Sequence, residues 1–313
     1  MNLKRPPETP DPVLLRIEQI VALYQTVRKR ITADLGGLKI SPYSEIKSQT
    51  VRMKIRAIIS DLNQKMMVWA SRSVAATYNE SATKATVSLS ILGAKRSPTF
   101  NPETHAREAR SYFDLLVSDF HKANMTILKS VDSILNLQSR AASSLSQIQN
   151  FDTPPMRKFD IWDYDQTSNL FDSWAREAVQ KQWSRKVLSD MIEEHLRSSL
   201  DDGDFIEING RHYNLDDYSE MVARTRLREA QTEATKQMCA EYDNDLVLFS
   251  THGNSCDICS PLEGQVFSLT GLTAGYPELT SEDEPPIHPN CGHSISPTSA
   301  EAIAIRGGDE EAA

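Results

Sequence analysis

Three of the chain's four cysteines stand close to one another and to two histidines. Cys256 and Cys259 lie three positions apart in GNSCDIC (253–259), and Cys291 lies between His288 and His293 in PPIHPNCGHS (285–294). A Cys-x2-Cys pair on a tight turn aims two thiolates at one point about 2.3 Å from each, which is half of a tetrahedral zinc site. The second half is predicted in HPNCGH. Pro289 and Asn290 are turn formers that let His288 and Cys291 fold toward one centre, and His293 shares the face of Cys291 where the chain is extended. Five donors thus compete for four places: Cys256, Cys259 and Cys291 are expected ligands, and His288 and His293 contend for the fourth position. The histidine left over suits a hydrogen-bonding support outside the coordination sphere.

The chemistry this predicts is structural Zn2+. The 28 residues between Cys259 and His288 exceed the spacing of a DNA-reading finger. A zinc clamp there would order a stretch with little hydrophobic periodicity, a task to which metal binding supplies on the order of 10 kcal/mol. Four protein ligands leave no open position for a hydrolytic water. The sequence also lacks the H-x-E of zinc deaminases, the H-E-x-x-H of metalloproteases, a phosphate-cradling G-x-x-x-x-G-K-[ST] and a dinucleotide G-x-G-x-x-G. Cys239 has no partner at ligand spacing and reads as a small core residue.

The elements that must position this cluster follow from periodicity. Val13, Ile17, Ile20, Tyr24, Val27 and Ile31 recur at helical spacing, as do Val51, Ile55, Ile58, Leu62, Met66 and Trp69, and then Phe113, Leu116, Phe120, Ile127, Val131 and Leu135. Met66 and Met67 both read as core. Pro154 and Pro155 mark a linker, and helical spacing resumes from Leu170 to Leu196. The period then changes to two in FIEINGRHYNL, around an Asn209-Gly210 turn that favours a hairpin. A helix is expected to start near Asp217, with Glu220 completing a capping box, and to run to about Tyr242. DLVLFS (245–250) reads as a strand leading into the cysteines. The expected fold is mainly α. A long-helix bundle or strut (1–150) precedes a linker and connecting helix (151–203), a small α+β module with the Cys/His zinc clamp (204–297) and an acidic flexible tail (298–313).

Charge narrows the partners. Over all 313 residues, 34 basic against 43 acidic side chains give a net charge of -9, which argues against indiscriminate nucleic-acid binding by the whole chain. Residues 1–59 are the exception, with 11 Lys or Arg against 5 Asp or Glu. That basic stretch is either a solvated helix face or a contact for DNA phosphates. No apolar run is long enough to span a bilayer, and no apolar core follows the first charges as in a secretory signal. The expectation is a protein folded in a reducing cytoplasm, where clustered thiols and histidines are metal ligands rather than disulfides.

The stretches YSEMVARTRLREA, STHGNSCDICSPLEGQVFSL and HPNCGHS, within residues 205–297, resemble the C-terminal region of tailed-phage minor capsid protein 2, a family related to MuF-like head morphogenesis proteins. The resemblance implies a low-copy architectural protein of the virion, assembled in the host cytoplasm and associated with the portal or major capsid protein. It implies no catalysis, and the lack of a spanning apolar run gives the expectation of no membrane partner. MuF-type relatives end the motif in Cys-x-Cys where this chain has Cys291-x-His293, so the resemblance favours His293 as the ligand and His288 as the support. Family members often carry Arg where Gly292 stands, which removes any cationic role at that position. The alternative reading is a nuclease-like DNA-processing factor or a virion-carried effector. The effector form needs a further domain, and only 16 residues follow Pro297.

Overall fold

The computed structural model describes residues 11–37, 44–96, 102–146, 206–208, 211–252 and 256–310, with isolated helical positions between 173 and 194. The expected linker at 150–160 lies outside the described residues. Of the connecting helix, Trp174 and Met191 are among the described positions, and both are helical and buried.

Three long helices open the chain. Helix α1 (Pro12–Gly36) begins where Asp11 accepts the Val13 N–H at 2.9 Å, with Pro12 at the first helical position, where a missing N–H costs nothing. Helix α2 runs unbroken from Ser44 to Ile91, 48 residues, and ends at Gly93, whose φ of 74° turns the chain so that the Ala94 N–H reaches the Leu89 carbonyl. Helix α3 (Pro102–Ser146) has Pro102 and Glu103 in its first turn, both favourable at the positive end of the helix dipole. The buried positions Val13, Ile17, Ile20, Tyr24, Val27, Ile31 and Leu35 of α1 keep the apolar period, and those of α2 and α3 do likewise. Met66 is buried as expected. Met67 is 41% exposed, because the next residue on a helix points about 100° away from the stripe.

Spatial proximity divides the chain into two compact units, one of Met1–Ile20, Met67–Asp119 and Glu220–Ala313, the other of Val21–Met66 and Phe120–Ser219. These interleave along the sequence. In the second unit, Tyr24 stacks on Phe120 with ring centroids 5.4 Å apart, and its hydroxyl donates to Asn124 Oδ1 at 3.0 Å. Asn124 Nδ2 in turn donates to half-buried Asn63 at 2.7 Å, so one polar chain joins α1, α3 and α2. Several basic residues of the N-terminal stretch are paired here: Arg28 with Asp216 at 2.8 Å, and Arg52 with Asp132 at 2.6 Å. The unit also holds a hairpin of β1 (Ile206–Ile208) and β2 (Arg211–Tyr213), in which Ile208 faces Arg211. Its two loop residues lie outside the described residues.

The first unit contains the module that carries the cysteines. Helix α4 (Leu215–Glu241) starts two residues earlier than expected. Asn214 caps it by accepting the Asp217 N–H at 2.9 Å and bonding the Asp217 carboxylate at 2.7 Å, which displaces the expected Asp217–Glu220 box. At the other end Glu241 binds His105 of α3, whose ring also meets the Tyr78 hydroxyl of α2 at 3.0 Å, and Arg96 at 3.0 Å. Ala85 and Leu89 of α2 pack with Met238 of α4.

After α4 come β3 (Leu246–Phe249), β4 (Val266–Ser268) and β5 (Ile295–Pro297), an antiparallel sheet with β3 in the centre. Cys239, Val247, Phe249, Phe267, Leu279 and Ile295 form its core. Cys239 is therefore the small core residue the sequence suggests. Residues 260–287, expected to have little structure of their own, supply β4 together with Phe267 and Leu279 of that core. Asp245 stitches the loop that follows β4, accepting from Ser268, Thr273 and the Thr270 N–H. Residues 300–310, expected as a flexible tail, form helix α5 (Ala300–Glu310), started by Ser299, which accepts the Ala302 N–H at 3.2 Å.

Candidate metal centre

Two turns carry four of the five expected donors. In the first, the Cys259 and Ser260 N–H groups both donate to the Cys256 carbonyl, at 3.1 and 2.8 Å. In the second, the Cys291 N–H donates to the His288 carbonyl at 3.0 Å, with Pro289 and Asn290 between them. Asn290 has φ 68°, a left-handed value that asparagine tolerates at the third position of such a turn. The sheet aims both turns. The Phe249 N–H donates to Gln265 beyond the first turn, and the Ser250 N–H donates to Ser294 beyond the second, so β3 holds both at one edge. Helix α4 holds the approach to the second turn, through Thr232 donating to the Pro285 carbonyl at 2.7 Å and Lys236 pairing with Glu284 at 2.9 Å.

The five residues named from the sequence form two triads that share Cys259: Cys256, Cys259 and His288, and Cys259, Cys291 and His293. Within each triad the donor atoms lie within 4.8 Å of one another. His288 Nε2 is 3.2 Å from the Cys256 and Cys259 sulfurs alike. The Cys259 and Cys291 sulfurs are 3.9 Å apart, and His293 Nδ1 is 3.6 Å from the Cys291 sulfur. Cys259, Cys291 and His293 are buried, whereas Cys256 is exposed at the surface of the first turn.

The thiols differ in acidity. Hydrogen bonding, led by the Cys259 N–H, lowers the Cys256 thiol to about 7, while burial and then the neighbouring sulfurs push Cys259 up to about 12. Burial pushes Cys239 up to about 12 as well, which suits an inert core thiol. A divalent ion would supply the positive charge that lets clustered thiols ionise together.

Two residues that the spacing argument did not single out complete the surroundings. Glu263 Oε1 lies 2.8 Å from His293 Nε2 and also accepts the His252 N–H at 2.7 Å. The His252 ring meets that of His293 edge-on at 4.5 Å, and Phe249 lies 5.2 Å from His293 on another side. A lone Glu in a loop carries no motif, so its role becomes visible only once the fold brings it to the histidine.

A protein-family model described as phage minor capsid protein 2 matches residues 185–302, a stretch that contains α4, the sheet and all five donors. That agrees with the resemblance read from the residues and supports a structural protein of a phage particle. No curated protein and no solved structure gives a significant match. No helix among the described residues is long and apolar enough to cross a membrane.

Proposed function

We propose that this chain is a minor structural protein of a tailed-phage head, docked at the portal or on the inner face of the major capsid shell through a C-terminal module that one zinc ion locks. The observation that carries the reading is the convergence of Cys256, Cys259, His288, Cys291 and His293 inside the stretch that matches minor capsid proteins. Zinc would take three thiolates and one imidazole from this set. With four protein donors it would staple loops together and leave no site for a reactive water. Its gain is rigidity: the two turns, 32 residues apart between Cys259 and Cys291, become one docking surface.

The basic N-terminal stretch is proposed to meet packaged DNA through phosphate contacts. Arg28, Arg52 and Lys54 already face Asp216, Asp132 and Asp34, so the contact would draw on exposed residues such as Lys29 and Arg30. DNA binding should then be weak and fall steeply with salt; no binding at low salt removes this part of the proposal. The main reading is tested on purified particles, by mass spectrometry and a localised reconstruction of the portal vertex. The chain is expected in low copy at that vertex, and its absence from particles overturns the proposal. Incubation with duplex DNA and divalent metals should give no cleavage, and cleavage would favour the DNA-processing alternative.

A further inference from the structure

We infer that Glu263 is a positioning residue that makes His293 the fourth ligand, fixing its imidazole so that Nδ1 completes the set of Cys256, Cys259 and Cys291. The inference rests on the zinc reading above and deepens it.

Both histidines have one ring nitrogen held by an oxygen, His288 Nδ1 by the Pro289 carbonyl at 2.8 Å and His293 Nε2 by Glu263 at 2.8 Å, so distance and burial are what separate them. Two donors at tetrahedral angles on one zinc, with bonds of about 2.3 Å to sulfur and 2.0 Å to nitrogen, stand about 3.8 Å apart for two sulfurs and about 3.5 Å for sulfur and nitrogen. Cys259 and Cys291 are 3.9 Å apart, and Cys291 and His293 Nδ1 are 3.6 Å apart. His288 Nε2 is 3.2 Å from both of its sulfurs, closer than two ligands of one ion stand and in the range of a direct nitrogen–sulfur hydrogen bond. His288 is also only half-buried, whereas His293 is 5% exposed.

Glu263 decides which nitrogen of His293 is available. A carboxylate is an acceptor, so His293 Nε2 carries the hydrogen and donates it to Oε1 at 2.8 Å, leaving the Nδ1 lone pair on the side of the Cys291 sulfur, 3.6 Å away, in the triad with Cys259. The carboxylate is itself held. Its Oε1 accepts the His252 N–H at 2.7 Å, and its backbone N–H donates to Ser260 at the exit of the first turn. Gly264 follows with φ 72°, and its N–H bonds the Phe249 carbonyl. Glu263 therefore ties the exit of the Cys256–Cys259 turn to the histidine that follows Cys291. Phe249 and His252 flank the ring and limit its rotation.

Cobalt(II) titration of the full chain tests this, read by absorption spectra and competition with a chelator. Wild type should bind one cobalt with thiolate charge-transfer bands and tetrahedral d–d bands; absence of these bands sinks the zinc reading itself and is thereby distinct from failure of the present inference. Glu263→Ala should weaken binding by about 10- to 100-fold. Glu263→Gln, whose amide oxygen still accepts the Nε2 hydrogen, should recover most of that loss, and it also serves if the alanine variant does not fold. His293→Ala should shift the d–d bands as nitrogen leaves the coordination sphere, while His288→Ala keeps their positions. The inference is overturned if His288→Ala, rather than His293→Ala, removes the nitrogen, or if both Glu263 variants bind cobalt as tightly as wild type.

Discussion

Removing the metal from the full chain should loosen the two turns and leave the sheet folded. An ion held by the cluster would close a loop whose ends, Cys259 and Cys291, lie 32 residues apart. The chain-entropy relation for a cross-link over such a span gives about 4 kcal/mol. Against this stands the core of the module, where Val247, Phe249, Phe267, Leu279 and Ile295 are all buried. At about 1.5–3 kcal/mol for each large side chain removed from water, these five contribute roughly 10 kcal/mol before chain entropy is subtracted. The strand pairing and this core do not pass through the ion, so the strands should survive when the clamp is lost. Amide hydrogen exchange followed by mass spectrometry reads the difference directly. On chelation, the Cys259 and Cys291 amides, which close the two turns, should exchange roughly a thousandfold faster, the equivalent of about 4 kcal/mol. The amides of Val247 and Phe249 should change far less. Unchanged exchange at the turns would refute the clamp, and equal acceleration throughout the sheet would show that the metal carries the whole module.

Other consequences are simpler to measure. Tyr24→Phe leaves the buried Asn124 Oδ1 without the hydroxyl it accepts from, and should lower stability by about 1–3 kcal/mol in denaturant unfolding. In metal-free protein near neutral pH, alkylation should reach Cys256 first, since it is exposed and its thiol is lowered to about 7, and Cys239 last, since it is buried and raised to about 12. Mass spectrometry of partly modified protein gives that order, and bound metal should protect Cys256. Asp245 provides a pH dependence: burial opposes its ionisation, yet hydrogen bonds from Ser268, Thr273 and Thr270 hold its carboxyl below the ordinary value. A lowered folded-state value stabilises the fold above the usual carboxylate range and loses that contribution as pH falls through it, so Asp245→Asn should flatten this part of the acid-unfolding profile.

What could be read in the sequence was whatever repeats. The stripes of α1, α2 and α3 extend over many turns, so Ile17, Ile55 and Phe120 announce their burial by spacing alone. The Cys-x2-Cys pair and HPNCGH announced the site for a similar reason, since their ligand spacing survives without knowledge of the fold. Short features were hidden. Strand β4 has three residues, too few for an alternation to stand out, and its Phe267 enters the core only through pairing with Val247. Met67 sits beside a stripe residue and is as hydrophobic as its neighbour, yet it points outward, a direction that composition alone does not reveal. The α4 cap lies at Asn214, which accepts the Asp217 N–H and donates to the Asp217 carboxylate, a reciprocal pairing that the Asp217–Glu220 spacing does not reveal. Glu263 and His252 gain meaning from neighbours that are distant in sequence.

One ion held by Cys256, Cys259, Cys291 and a histidine is the arrangement proposed for the module. Elemental analysis of the purified full-length chain tests it most directly. One zinc per chain in wild type, falling close to zero in Cys259→Ser, is the predicted result. Wild-type protein without stoichiometric transition metal, or a Cys259→Ser variant that keeps its zinc, would contradict the account.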